Sequence, residues 1–268
     1  MDNKSLRLLL AGLPGQMASA LVKPLQGQFS LAPFALSGDG TRVKSRGLAL
    51  IPPLEHEDAL TRLKEEHPNT IAVDFTAPGA VNRNAEMYAR CGVPFVMGTT
   101  GGDREKLAQA VKNSGICAVI APNMALPVVV FQAMMEYAAE TFPGAFAGLE
   151  LAIVESHQVA KKDTSGTAKA VVACFKALGI PFEPEQIIQI RNLYHQRVLG
   201  VPEWALGGHG WHKYMLRSLA VQLMFEHNIS GREPYVDGVI KSIGFLADKV
   251  AAGAKGQVYS MIDVAKAQ

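Results

Sequence analysis

At 268 residues, with 49% hydrophobic and 19% charged side chains and a mean hydropathy of +0.12, the chain carries enough apolar material for a filled core, which excludes disorder. A formal net charge of +2 gives no electrostatic reason to expect nucleic acid or an anionic membrane as partner. Cys91, Cys117 and Cys174 stand far apart, without CxxC or His-rich spacing; this is the usage of reduced intracellular thiols and points to a cytoplasmic protein with no metal site.

Residues 6–11 (LRLLLA) are a short apolar run, followed by Gly12-Leu-Pro-Gly15-Gln16-Met17-Ala18 and a helical pattern over residues 16–25. This N-terminal segment imitates a secretory signal, but its apolar core is short and already interrupted by glycine. A buried strand feeding a glycine turn and then a helix opens a nucleotide-binding unit, because glycine lets the backbone approach a pyrophosphate that rests on the helix N-terminus. The same spacing also serves ordinary turns, so it needs context.

The next strand, residues 30–36, ends at Ser37-Gly38, where an NAD-specific enzyme has Asp or Glu for the ribose hydroxyls. Here Ser37 is followed by Asp39, Thr41, Arg42, Lys44 and Arg46. The missing acid and the nearby cations suit a 2′-phosphate, so NADPH should bind at least as well as NADH; a solvated loop is the plainer account of any single cation.

The alternation then repeats. Residues 71–76 (IAVDFT) end in polar residues and Pro78, before a helix over 80–91. Residues 93–97 close on Gly98-Thr-Thr100-Gly-Gly, before a helix over 104–113, and residues 116–120 close on Ala121-Pro122-Asn123-Met124. Residues 116–135 carry no charge, but Pro122, Asn123, Pro127 and Gln132 break them into strand, turn and helix start rather than a membrane span. Strand, polar turn and helix at this spacing predict an α/β, Rossmann-type doubly wound parallel sheet, with ligands beyond the carboxyl ends of the strands, where Thr76, Gly98 to Gly102 and Asn123 fall.

From about residue 125 the rhythm changes. A helix over 128–140 precedes a strand over 149–155 (LELAIVE), then the polar stretch ESHQVAKKDTSGT (155–167), then a helix over 167–178. His157 is expected two residues beyond a strand end, with Lys161 four further on and Thr164-Ser165 where an N-cap belongs. Capping alone would explain Ser165-Gly166-Thr167, yet free N–H groups at a helix start also hold carboxylates. A histidine, a lysine and such a helix start offer a proton donor, a cation and a carboxylate cradle, as reduction of an imine or enamine bearing carboxylates requires.

Glu155-Ser-His157-Gln158…Lys161…Asp163-Thr-Ser165-Gly166-Thr167-Ala168 resembles the signature of the dihydrodipicolinate reductases, also called 4-hydroxy-tetrahydrodipicolinate reductases, of lysine biosynthesis. The usual bacterial form reads EAHHRHKVDAPSGTA. Gln158, Ala160 and one residue fewer before the serine match the plant-type branch. Gly12-x-x-Gly15-x-Met17, Asp74-Phe75-Thr76, the 96–107 stretch, Ala121-Pro122-Asn123-Met124, the 142–146 stretch and the 227–232 stretch match in order, so the resemblance covers nearly the whole chain.

The resemblance implies His157 as general acid and Lys161 as the residue that holds and polarises a small dicarboxylate, with Ser165, Gly166, Thr167 and Thr100 as further substrate contacts. It implies NADPH or NADH on Gly12, Gly15, Gln16, Met17, Ser37, Phe75, Thr76, Gly98, Thr100, Pro122, Asn123 and Met124. It also implies a dinucleotide domain of residues 1–124 and 237–268, with a helix over 238–252 and a tail over 258–264. Residues 125–236 would form a second α+β domain for substrate binding and oligomerisation, with a mixed open sheet that assembles a homotetramer. Residues 221–227 alternate as a strand with one covered face.

Two departures stand out: Gln16 replaces the usual Arg or Lys after the second glycine, and Ala125-Leu126-Pro127 replaces Gly-Lys-Gln. They leave open a related reductase of another cyclic imino acid; a non-catalytic dinucleotide sensor is the remaining alternative, opposed by the complete His157, Lys161 and Ser165-Gly-Thr set. His195, His209 and His212 lack an accompanying Cys or carboxylate cluster and are expected to be structural or loop residues.

Overall fold

The computed structural model describes residues 3–38 and 43–268, so Asp39, Thr41 and Arg42 lie outside the described residues. The chain divides into two compact units, residues 1–126 with 235–268, and residues 127–234.

In the first unit, β1 (Arg7–Leu13), α1 (Gln16–Gln28), β2 (Ser30–Ser37), β3 (Lys44–Ser45), β4 (Leu48–Ile51), α2 (His56–Glu66), β5 (Thr70–Asp74), α3 (Val81–Arg90), β6 (Phe95–Met97), α4 (Arg104–Ser114) and β7 (Ala118–Ile120) follow in order. The second unit holds most of α5 (Leu126–Thr141), then β8 (Glu150–His157), α6 (Gly166–Ala177), β9 (Ile188–Ile190), α7 (Leu193–Val198), β10 (His209–Arg217) and β11 (Gln222–Ser230). With α8 (Glu233–Ala251), β12 (Val258–Tyr259) and α9 (Met261–Lys266) the chain completes the first unit.

The first sheet runs β12-β7-β6-β5-β1-β2-β4-β3, and only the β3–β4 pairing is antiparallel. Its central strands are buried along both faces, which is why β1 and β5 read as unbroken apolar runs rather than alternations. The helices cover it with apolar stripes at helical spacing: Ala18, Leu21, Val22 and Leu25 in α1, and Val81, Ala85 and Tyr88 in α3, are all buried. Helix α8 passes so close to the turn after β7 that a Cβ on Gly238 would overlap the Met124 carbonyl.

The second sheet runs β11-β10-β8-β9, antiparallel except for the parallel β8–β9 pair. Ile153 of β8, Tyr214 and Leu216 of β10 and Phe225 of β11 face a core closed by Val171, Val172 and Phe175 of α6. The β8–β10 register extends through His157 opposite Gly210, so the strand is longer than its apolar alternation indicates. His157 is therefore the last residue of a strand, not a loop residue two positions beyond one. Likewise α8 starts at Glu233, five residues ahead of the expected 238, and residues 258–264 split into an edge strand and a short helix.

Candidate active site

In the second unit the polar stretch is built around Glu155, which is fully buried. One of its oxygens accepts from the Arg191 guanidinium, and the other accepts from the Ser165 backbone N–H at 3.0 Å. Arg191 also donates from Nε to the Lys161 carbonyl at 2.9 Å and from its other nitrogens to the carbonyls of Glu155 and Asp163. Buried Gln196 donates to the His157 carbonyl at 2.8 Å. Strand end, loop and helix start are thus tied to one another by two side chains contributed from beyond β9.

Ser165 occupies the N-cap of α6, but its hydroxyl makes no cap bond, contrary to the capping role that its position implies. Glu155 takes the backbone N–H of Ser165 itself, and because the serine hydroxyl makes no cap bond, that hydroxyl and the first N–H groups of α6, at Gly166 and Thr167, remain available to a ligand. Lys161 is paired with exposed Asp163 at 2.8 Å.

His157 Nδ1 lies 3.0 Å from the His209 carbonyl, which makes Nδ1 the protonated, donating nitrogen. Nε2 is buried without a partner. Burial first, then the charges of Arg191 and Lys161, lower the His157 pKa to about 4. His209 is fixed in turn: Nδ1 donates to the Ala205 carbonyl at 3.2 Å, and Nε2 accepts the Ser156 hydroxyl at 2.8 Å.

His212 meets the His157 ring edge-on with centroids 5.1 Å apart and stacks on His227 at 4.7 Å. Neither nitrogen of His212 has a hydrogen-bond partner, Nε2 lying 3.9 Å from the Glu155 carboxylate, and burial drives its pKa down to about 2. His209 and His212 are strand residues of β10, whereas His195 is an exposed residue of α7. Glu155, His157 and His212 present ligand atoms within 4.8 Å of one another, a spacing that a metal ion could span. The charge around them argues otherwise. Glu155 is already neutralised by Arg191, and Lys161 adds a further positive field, so the site attracts an anion rather than a divalent cation.

In the first unit, Gly12, Gly15, Ser37, Phe75 and Thr76 line one cavity of about 310 Å³ at the carboxyl ends of β1, β2 and β5. Gly12 has φ of +110°, and a Cβ there would overlap the Phe75 carbonyl, so only glycine lets the two strand ends approach. Gln16 is exposed and Met17 half-buried at the start of α1. Gly98 lies against the Phe75 ring, Thr100 is exposed, and Pro122, Asn123 and Met124 form the turn after β7, in which Asn123 Oδ1 accepts the Ala125 N–H at 3.0 Å. Pro127 falls in the first turn of α5, where its missing N–H costs no hydrogen bond.

Buried Asp74 holds this edge together. It accepts from the Thr76 N–H (3.0 Å) and hydroxyl (2.7 Å), the Thr99 hydroxyl (3.2 Å), Asn84 Nδ2 (2.9 Å) and the Tyr88 hydroxyl (2.8 Å). The open glycine turn, the cavity and the helix start beside it fit a dinucleotide.

Residues 6–124 match the family model described as the N-terminus of dihydrodipicolinate reductase, and residues 127–265 match that of its C-terminus. The chain belongs to the dihydrodipicolinate reductase family. The chain is 43% identical to 4-hydroxy-tetrahydrodipicolinate reductase 1, chloroplastic, of Arabidopsis thaliana over 98% of this chain and 79% of that protein. It is 42% identical to a probable 4-hydroxy-tetrahydrodipicolinate reductase 1, chloroplastic, of Oryza sativa subsp. japonica over 97% of this chain and 78% of that protein. A dipicolinate-bound dihydrodipicolinate reductase from Paenisporosarcina sp. TG-14 shares the fold with a TM-score of 0.65 at 20% identity, over 96% of this chain and 98% of that one.

As a member of this reductase family the chain is an oxidoreductase that uses NAD(P)H to reduce 4-hydroxy-tetrahydrodipicolinate to tetrahydrodipicolinate. Arg191, Gln196 and His212 are the residues around the polar stretch that the sequence did not reveal. Each lies far along the chain from the polar stretch: Arg191 follows β9 and His212 lies in β10, both strands paired with β8, and Gln196 reaches the His157 carbonyl from α7.

Proposed function

We propose that His157 supplies the proton in this reduction and that Lys161, Ser165, Gly166, Thr167 and Thr100 hold the dicarboxylate substrate. The observation that carries the reading is the His157 ring, with Nδ1 committed to a carbonyl and Nε2 buried and unpartnered. The reduced nicotinamide supplies the hydride. Substrate, hydride and one proton give tetrahydrodipicolinate and water, and His157 Nε2 is the atom that carries the proton.

At neutral pH the free protein holds His157 in its neutral form, because burial and the fields of Arg191 and Lys161 oppose a second proton. Two substrate carboxylates reverse that balance. They offset the cations, raise the imidazole pKa and load Nε2 with the proton it then donates. Lys161, released from exposed Asp163, and the N–H groups of Gly166 and Thr167 take the carboxylates; Arg191 has no donor to spare and serves as a positioning residue.

On this reading the cavity of the first unit, lined by Gly12, Gly15, Ser37, Phe75 and Thr76, is the NAD(P)H site, and Gln16, Met17, Gly98, Thr100 and Pro122 to Met124 supply further cofactor contacts outside that lining. The first unit then acts as the dinucleotide-binding domain and the second as the substrate-binding and oligomerisation domain. Homotetramer formation, implied by the family resemblance, is supported by the sheet face opposite the α6-packed core of the second unit, where Trp211, Met215 and Met224 stand with Lys213 and Glu226. Three free cysteines support a reducing compartment, and we propose the cytoplasm; no helix among the described residues is long and apolar enough to cross a membrane.

NADPH absorbance, followed with substrate generated in situ from pyruvate and aspartate semialdehyde by the preceding enzyme, tests the proposal. Oxidation by the wild type that falls by roughly 10²–10⁴ in a folded His157→Gln variant is the expected result. An undiminished rate in that variant would remove His157 from the chemistry.

A further inference from the structure

The end of β2 lacks the acid that would hold the ribose hydroxyls of NAD, and its replacement, Ser37, is buried. The cations expected to compensate come from residues 42–46. Of these, Lys44 and Arg46 are exposed and neither lines the cavity, and Arg42 lies outside the described residues. A different cation does line it. Arg83, from the first turn of α3, lines it together with Ser37, Gly38 and His56.

Three observations bear on what Arg83 does there. Its side chain is exposed and has no hydrogen-bond or carboxylate partner among the described residues, so no structural pairing accounts for it. The His56 ring, anchored by Nε2 at 3.0 Å from the Ile51 carbonyl, lines the same cavity as Ser37, and the Arg83 charge acts on it. The neighbouring residue Asn84 is locked onto Asp74, which fixes the helix turn from which Arg83 projects. A lone guanidinium facing a cavity edge that has lost its acid is a site for a dianionic phosphate monoester.

We infer that Arg83 is the residue that recognises the 2′-phosphate of NADPH, in place of a cation in the loop after β2. The inference rests on the assignment of the Gly12–Gly15 cavity to the cofactor. It makes Arg83 a determinant of cofactor preference, reached from α3 rather than from the β2 loop where such residues are sought.

The test is the ratio of NADPH to NADH affinity, measured by cofactor fluorescence in the full-length wild type and in Arg83→Gln and Arg83→Lys. The expected result is a ratio about tenfold lower in Arg83→Gln, partly restored in Arg83→Lys, with adenosine 2′,5′-bisphosphate losing its ability to displace NADPH. An unchanged ratio would overturn the inference. So would an equal loss of both affinities, which would place Arg83 on the pyrophosphate. Hydrogen exchange across residues 12–16 separates the two levels: protection by saturating NADPH in all three proteins keeps the cofactor in the cavity, and no protection in the wild type would overturn that assignment and the inference with it.

Discussion

His157 faces Gly210 across the β8–β10 ladder, and the absence of a side chain there gives the imidazole its place. A Cβ on Gly210 would lie 3.0 Å from His157 Cε1, a contact tight enough that the ring would have to give way. The ring therefore lies against the neighbouring strand, where Nδ1 reaches the His209 carbonyl. A Gly210→Val substitution suits a strand but displaces the ring. It should lower kcat by roughly 10²-fold, the scale expected for a misplacement of about 1 Å, while changing KM little. Steady-state kinetics with the wild-type value of kcat retained would refute this.

Arg191 and Glu155 form a pair in which the carboxylate is fully buried and the guanidinium largely so. Removing one partner leaves an uncompensated charge inside the protein. Arg191→Met should destabilise the fold by about 3–5 kcal/mol, whereas a double replacement of Arg191 by Met and Glu155 by Gln should recover a substantial part of that loss. Urea unfolding of both variants measures the difference; equal losses would show that the pair is not the cause.

Asp74 accepts only, and every group around it donates. Asp74→Asn turns one oxygen into a donor facing donors. The expected cost is about 1–3 kcal/mol, with weaker NADPH binding because Thr76 and Thr99 lose their anchor. Denaturant midpoints together with NADPH titration check both halves of the prediction.

His157, His212 and His227 all have pKa values below the ordinary histidine value, to about 4, about 2 and about 4, with burial as the largest cause in each. The unfolded chain takes up protons below pH 6.5 that the folded chain refuses. Stability is therefore fully present above pH 6.5 and is lost as pH falls through the folded values, by about 1.4 kcal/mol per pH unit for each proton withheld. Thermal unfolding between pH 7 and pH 5 should show this loss, with a shallower slope in His212→Phe. A flat profile would contradict it.

Much of the parallel sheet was legible because buried strands write their sequence as apolar runs between glycine turns, as at β1 and β5. The end of β8 was not, because Ser156 and His157 are polar and their extended backbone is fixed by pairing with β10, a distant partner. The same limit applies to the site. His157, Lys161 and Ser165 to Thr167 are neighbours in the chain and could be read together. Arg191, Gln196 and His212 reach them only through sheet pairing and packing, and local periodicity carries no record of that. Ser165 occupies its expected N-cap place, but its hydroxyl makes no cap bond and its backbone N–H is held by the buried carboxylate of Glu155, a contact made inside the fold.

A dicarboxylate in the proposed site charges His157 by offsetting Arg191 and Lys161. Calorimetric binding of a planar pyridine dicarboxylate at pH 6, in the presence of saturating cofactor and in buffers of different ionisation enthalpy, counts the protons taken up. The prediction is an uptake approaching one proton in the wild type and a marked loss of it in His157→Gln. No uptake in the wild type, or the same uptake in both proteins, would contradict the account.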